Sequence, residues 1–180
     1  MGSLMSEENG GNSRDGKVEA LVVGAGPAGL AAAEVLSASG LSVVVVDAMP
    51  SVGRKFLMAG KSGLNLTKDE PVAAHLARFG DGSGAFFSAV EAFGPGAVQD
   101  WARGLGEDVF TGTTGRVFPR AMKASPLLRR WMGRLAEQGV ELRTRWRWTG
   151  WDGDQFVFAT PEGAARVTAD VVVMALGGGR

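Results

Sequence analysis

Apolar residues fall in three rhythms along this chain, and each rhythm predicts a different element. Residues 20–23 are a short apolar run and residues 42–46 a β-branched one, the pattern of strands buried on both faces. Between them, residues 27–39 are rich in Ala, Leu and Glu, which favour helix, and Gly40 marks its stop. Helical spacing returns over residues 69–110. Phe86, Val90 and Phe93 form one apolar stripe, and Val98, Trp101, Ala102 and Leu105 form another. Gly94-Pro95-Gly96 separates the two. Both stripes are expected in the core, with His75 on a helix surface. A further helix is predicted from Ser125 as N-cap and Pro126 as its first residue. Leu128, Trp131, Met132 and Leu135 form its buried stripe, Arg129, Arg130 and Arg134 point elsewhere, and Gly139 ends it.

The third rhythm is alternation. Over residues 140–151, Leu142, Thr144, Trp146 and Trp148 share one face, and Arg143, Arg145 and Arg147 the other. One half-buried strand is expected there, and the basic–aromatic alternation is read as that strand rather than as an RNA-binding surface. Turns at Gly153 and Gly163 make it the first strand of a three-stranded antiparallel meander, with residues 156–160 and 165–168 as the others. Residues 170–175 return as a buried strand. Residues 107–119 carry short β-type runs with turns at Gly112 and Gly115, and residues 48–68 form a long loop with at most a short helix.

Composition narrows the possibilities. The chain has 180 residues, 45% hydrophobic and 21% charged, with Lys plus Arg balancing Asp plus Glu at 19 each. Zero net charge gives no bulk attraction to nucleic acid or to a membrane surface. With no cysteine and a single histidine, disulfides, thiolate metal sites and histidine-rich metal sites are excluded, so no metal centre is expected. The lack of cysteine is compatible with a cytoplasmic location. No apolar run approaches the roughly 18 residues needed to span a bilayer. Residues 1–17 are polar and rich in Gly, Ser and Asn, and a disordered tail is expected, with residues 18–180 as the folded domain. Met1, Gly2 and Ser6 formally fit the short, permissive N-myristoylation pattern.

The chemistry is concentrated at the first strand–helix junction, Gly24-Ala25-Gly26-Pro27-Ala28-Gly29. Gly24 allows a sharp turn out of the strand, Gly26 lets a pyrophosphate approach bare backbone, and Gly29 lets helix and strand pack closely. Pro27 suits the first helical turn. The free N–H groups and the positive end of the helix face the phosphates. Asp47 ends the second strand 18 residues after Gly29, near the roughly 20 expected for the acid that binds a ribose hydroxyl. Its charge disfavours a 2′-phosphate there. Arg54 and Lys55 follow in a glycine-rich loop and could reach phosphates or a flavin. The spacing alone does not separate FAD from NAD.

Four segments together carry a more specific resemblance. They are the glycine fingerprint, Val52-Gly53-Arg54-Lys55-Phe56-Leu57, Gly63-Leu64-Asn65-Leu66-Thr67, and Gly115-Arg116-Val117-Phe118-Pro119 with Lys123. In these the chain resembles the bacterial aminoacetone-oxidase-like, or bile-acid-dehydroxylation-flavoprotein-like, NAD(P)/FAD-dependent oxidoreductases. Much of that family has Arg-Cys where this chain has Gly63-Leu64. The resemblance implies FAD as cofactor, and roles near it for Asn65, Thr67 and Arg116. It also implies a small-residue turn near the adenosine at Gly177 and Gly178. The family is longer, so the chain is read as the N-terminal part of such an enzyme, without its substrate domain and last flavin-binding segment.

The expected fold is α/β: a Rossmann-like FAD/NAD(P)-binding domain with parallel strands from residues 20, 42, 140 and 171, a helical insertion and the meander. The expected function is FAD-dependent oxidation or reduction of a small molecule, with NAD(P)H as a possible electron donor. An NAD-dependent enzyme and a non-catalytic dinucleotide-binding module are the alternatives.

Overall fold

The computed structural model describes residues 16–60, 62–80 and 82–177. The expected tail and acylation pattern therefore lie mostly outside the described residues. Gly16 and Lys17 do not belong to a tail. They open strand β1 (Gly16–Val23), where Lys17 pairs with Thr168 and its ammonium lies 2.7 Å from Asp170.

Helix α1 (Pro27–Ala38) and strand β2 (Val43–Asp47) complete the βαβ unit, with β1 and β2 parallel and Ala20 opposite Val43. Two further strands extend this parallel sheet, β6 (Glu141–Thr144) beside β2 and β9 (Gly163–Met174) beside β1. Strands β7 (Arg147–Asp152) and β8 (Gln155–Thr160) add antiparallel to β9, giving the order β6-β2-β1-β9-β8-β7. The four parallel strands are thus the ones expected. A separate small antiparallel sheet holds β3 (Thr67–Lys68), β5 (Arg116–Pro119) and β4 (Val109–Thr111).

The unbroken apolar runs follow from cover on both faces. Ala20, Val22, Val43 and Val45 pack against Leu30 and Ala33 of α1 and against Leu127, Trp131 and Leu135 of helix α6 (Ala124–Glu137). Leu21, Val23, Val44 and Val46 face the other way, onto Trp146, Phe158, Ala165 and Val167. The meander is hydrogen-bonded into the sheet edge-on yet also contributes the side chains that cover its second face.

Several expectations change. Residues 140–151 are not one strand. Arg145 takes a left-handed φ of 62° and splits them into β6 and β7, which lie at opposite ends of the sheet. Leu142 consequently joins the helix-side core and Trp146 the opposite one. Arg143 is not on a solvated face either, since its guanidinium sits 4.9 Å over the Trp146 ring. Conversely, the third meander strand and the returning strand at 170–175 are one twelve-residue strand, β9, antiparallel to β8 and parallel to β1. Its second half is only partly buried, with Val171 and Met174 exposed.

Helix α6 starts at Ala124, with Lys123 rather than Ser125 in the capping position and no side-chain cap. Helices α3 (Val72–Leu76), α4 (Gly84–Ala92) and α5 (Pro95–Gly104) form the helical insertion. Only α5 behaves as its stripe predicts, burying Ala102. Helix α4 buries no residue, and Phe93 is 53% exposed. Phe86 meets Phe79 and Phe87 edge-on at 5.1 and 5.8 Å, so these rings form a surface cluster rather than core.

Two polar clusters tie the helices down. The Glu34 carboxylate on α1 accepts hydrogen bonds from Trp101 Nε1 (3.1 Å), Trp131 Nε1 (2.7 Å) and Arg134 Nη1 (2.8 Å). Arg134 therefore points inward, against expectation. Glu70, before α3, gathers His75 Nδ1 at 2.9 Å, Arg78 Nη2 at 2.6 Å and Lys68 Nζ at 3.3 Å. His75, led by its hydrogen bond, and then the neighbouring cations hold the Glu70 carboxyl below the usual carboxylate range.

Two outcomes are expected. Leu127→Ala removes a fully buried side chain and should destabilise the domain by about 2–5 kcal/mol in urea or thermal unfolding. Glu70→Gln should lower the melting temperature at neutral pH. A depressed carboxylate stabilises above its unfolded pKa and loses that contribution as pH falls through the folded value. The gap between Glu70→Gln and the unsubstituted protein should therefore close on acidification through and below the usual carboxylate range, as followed by circular dichroism.

Candidate functional site

A cleft of about 510 Å³ opens over the carboxyl ends of β1, β2 and β9. Its floor is the turn from β1 into α1, and the three glycines there have different surroundings. Gly24 has φ 109°, and a Cβ on it would overlap the Ala175 carbonyl. A Cβ on Gly29 would overlap the Gly24 carbonyl. Among the described residues, a Cβ on Gly26 would meet nothing within 4 Å. Two glycines are thus required by the protein's own packing, whereas the third leaves space above bare backbone. Gly26 caps α1 without a side-chain hydrogen bond and Pro27 follows as the first helical residue. The first amides of the twelve-residue helix have no intrahelical acceptors, and they carry the positive end of its dipole.

Asp47 lies at this turn, but first as a structural acceptor. Its Oδ2 accepts from the Ala25 N–H at 2.7 Å and its Oδ1 from the Met49 N–H at 2.7 Å. Each oxygen keeps a second lone-pair direction, since an ionised carboxylate offers about four acceptor sites. The carboxylate can therefore shape the loop and still accept from a ligand hydroxyl.

Cationic groups come from helix α2 (Arg54–Ala59), a short helix within the segment read as a long loop with at most a short helix. Its cap, Gly53, has φ 62° and donates its N–H to the Ala25 carbonyl at 2.8 Å. A Cβ on Gly53 would come within 2.7 Å of Leu128, so glycine here lets α2 sit tightly on α6. Arg54 and Lys55 line the cleft, and the Lys55 ammonium reaches to 3.3 Å from where a Cβ on Gly177 would stand.

Of the residues singled out from sequence, the structure gathers Gly24, Ala25, Gly26, Pro27, Ala28, Asp47, Arg54, Lys55 and Gly177 along one cleft. Gly29 is buried beneath it, and Gly178 lies outside the described residues. Asn65, Thr67 and Arg116 are not among the cleft-lining residues. Their two segments instead pair with each other: Thr67 faces Val117 and Lys68 faces Arg116 in the β3–β5 ladder, and the Leu66 N–H donates to the Val117 carbonyl at 2.9 Å. Glu107 takes Arg130, at 3.8 Å, as its ion-pair partner.

The cleft also has walls that sequence reasoning missed, in Met49, Met58, Trp146, Arg147 and Trp148. The alternation predicts one strand for the tryptophans, and no residue type signals the left-handed Arg145 that breaks it. Among the described residues, no group of three His, Asp or Glu side chains could hold a metal ion. No helix among them is long and apolar enough to cross a membrane.

Comparisons with known proteins agree with this architecture. No curated protein sequence matches the chain. Among solved structures, an open-conformation flavocytochrome c3 fumarate reductase superposes with a TM-score of 0.60 at 22% identity, over 93% of this chain and 34% of that one. A 3-ketosteroid-delta4-(5alpha)-dehydrogenase from Rhodococcus jostii gives 0.61 at 15% identity, over 89% of this chain and 46% of that one. The p-nitrophenol 4-monooxygenase PnpA from Pseudomonas putida gives 0.53 at 18%, over 89% and 41%. The chain thus spans less than half the length of each of these three. At such identities they establish a shared fold. The sequence itself places the chain in a family: residues 18–180 match the family model described as the HI0933-like protein Rossmann domain, and the chain belongs to that family.

Proposed function

We propose that this chain binds FAD and forms the cofactor domain of a flavin-dependent oxidoreductase of the aminoacetone-oxidase-like branch. The observation that carries the proposal is the contrast within the glycine turn. Gly24 and Gly29 have no room for a side chain, while a Cβ on Gly26 would meet no atom of the described residues within 4 Å. An anion over Gly26 would meet the α1 amides and the positive helix end, with Arg54 and Lys55 on the same cleft. A diphosphate fits that donor set, and Asp47 is positioned to accept from an adjacent ribose. The resemblance in the Gly53-Arg54-Lys55 and Gly115–Pro119 segments favours FAD over NAD. The three similar structures bear the names of redox enzymes, a reductase, a dehydrogenase and a monooxygenase.

When bound, FAD supplies the hydride or electron transfer, and the protein supplies position and electrostatics. The residues of this chain neutralise the diphosphate, orient the ribose and fix where the cofactor lies across the sheet. Turnover of a small-molecule substrate, NAD(P)H as electron donor and a cytoplasmic location complete the proposal for the enzyme as a whole.

Purified protein should show a flavin absorbance band, with FAD identified by HPLC after release. A colourless protein that binds NAD but not FAD would sink the proposal. Gly26→Val should fold normally yet weaken FAD by at least about 100-fold, the loss of two hydrogen bonds to a charged group at about 1.5 kcal/mol each. Gly29→Ala should instead lower the melting temperature, because its Cβ has nowhere to go. Flavin bound to Gly26→Val at unchanged affinity would show that the diphosphate lies elsewhere.

A further inference from the structure

All sulfur in this chain is thioether, since it has methionine but no cysteine. The methionines among the described residues differ in how far solvent reaches them. Met58 is 61% exposed, against 42% for Met174, 38% for Met122 and 37% for Met49. Met132 is half-buried and packs against the core. Met58 also lines the cleft. Oxidation of sulfur to the sulfoxide follows access, so Met58 is the described methionine that an oxidant in solvent meets first.

Its place on α2 gives that access a consequence. Met58 follows Arg54 by four residues and Lys55 by three on the same helix. Side chains at those spacings are neighbours, with Cβ atoms about 5–6 Å apart, and all three line the cleft. Arg54 and Lys55 have no ion-pair partner among the described residues, so their donors are available to an anion in the cleft. A thioether is a weak acceptor and does not compete for them. Oxidation turns it into a polar group, whose oxygen accepts hydrogen bonds on the face that carries both cations. No residue of α2 is buried, so the added oxygen meets solvent and leaves the core packing as it is.

We propose that Met58 is an oxidation site whose sulfoxide lowers the affinity of the cleft for its dinucleotide. The proposal rests on the FAD reading above and adds a means of regulating that site. The oxidant is hydrogen peroxide. The sulfur lone pair attacks one peroxide oxygen, an S–O bond forms and the O–O bond breaks. Sulfur loses two electrons, and the peroxide is reduced to one molecule of water. The sulfoxide oxygen then accepts from Arg54 or Lys55 and draws that cation away from the diphosphate. The change is reversible, because methionine sulfoxide reductases remove the oxygen, one enzyme for each epimer.

The test treats the chain with graded hydrogen peroxide, maps sulfoxides by peptide mass spectrometry, and titrates FAD and ADP by calorimetry before and after. Met58 should oxidise ahead of Met49, Met122, Met132 and Met174. Oxidation should weaken FAD and ADP by roughly 10-fold, the loss of one hydrogen bond to a charged group. The melting temperature should not change, and the two reductases together should restore the affinity. Met58→Leu should bind both ligands equally well before and after peroxide. Met58→Gln, which carries an amide oxygen in place of the sulfoxide's, should bind weakly without treatment. Oxidation of Met58 no faster than of Met132 overturns the proposal. Unchanged affinity after Met58 is oxidised also overturns it and leaves the cleft assignment standing. So does an equal loss in Met58→Leu, which would place the effect at another residue, or a fall in melting temperature that accounts for the loss by unfolding. An untreated chain that binds neither FAD nor ADP removes the cleft assignment and the proposal together.

Discussion

The close approach of backbone to backbone at the end of β1 is the constraint on which the domain depends. Gly29, in the first turn of α1, lies against the Gly24 carbonyl, and Gly24 lies against the carbonyl of Ala175 just after β9. The glycine turn and the distant Ala175 meet there, with no side chain on the glycines to hold them apart. The Gly24 N–H donates to Val46 at 2.8 Å and the Ala175 N–H to Val23 at 2.8 Å, so all three strand ends are fastened at one level. Contact this close fixes where α1 begins relative to the sheet edge, and hence where its free amides point.

Helix α6 transmits that position to the other wall of the cleft. Its Trp131 and Arg134 bond Glu34 on α1. Its Leu128 fills the space above Gly53, and Ala124 packs against Gly60, which closes α2. The helix that presents amides and the helix that presents Arg54 and Lys55 are thus both seated on α6. Glu34 is mostly buried, with only 16% of its side chain exposed. A buried carboxylate is tolerated only when its lone pairs are answered, and three donors from two other helices do so. Removing one partner would leave a charge short of a donor, so this cluster specifies how the three helices meet more than it adds stability.

The cleft that results is electrostatically divided. One stretch offers amides, the positive end of α1 and two cationic side chains, and the next offers the Asp47 carboxylate. A ligand with an anionic middle and a hydroxylated neighbour matches that order. Asp47 has a double part in this, since the bonds that hold it in place are made with the loop it borders. The carboxylate is pre-oriented before any ligand arrives, so less ordering remains to be done on binding.

Local chemistry determined much of this from sequence alone. The glycine turn, the helix after it, the acid at the next strand end and the buried parallel strands are legible because each depends on residues within one βαβ unit. Steric needs of glycine and continuous apolar runs are local signals. What only the tertiary structure decided lies where distant segments compete. The alternation over residues 140–151 is compatible with one strand or two. The bond from Trp146 to Asp47 and the left-handed Arg145 choose two, and in doing so they bring Trp148 to the cleft. Similarly, β9 is one strand because β1 and β8 each extend it from a different end. The stripe of Phe86 and Phe93 reads as core by periodicity, yet α4 buries no residue and Phe86 clusters with Phe79 and Phe87 at the surface. Periodicity states which side chains share a face, and whether anything covers that face depends on the rest of the fold.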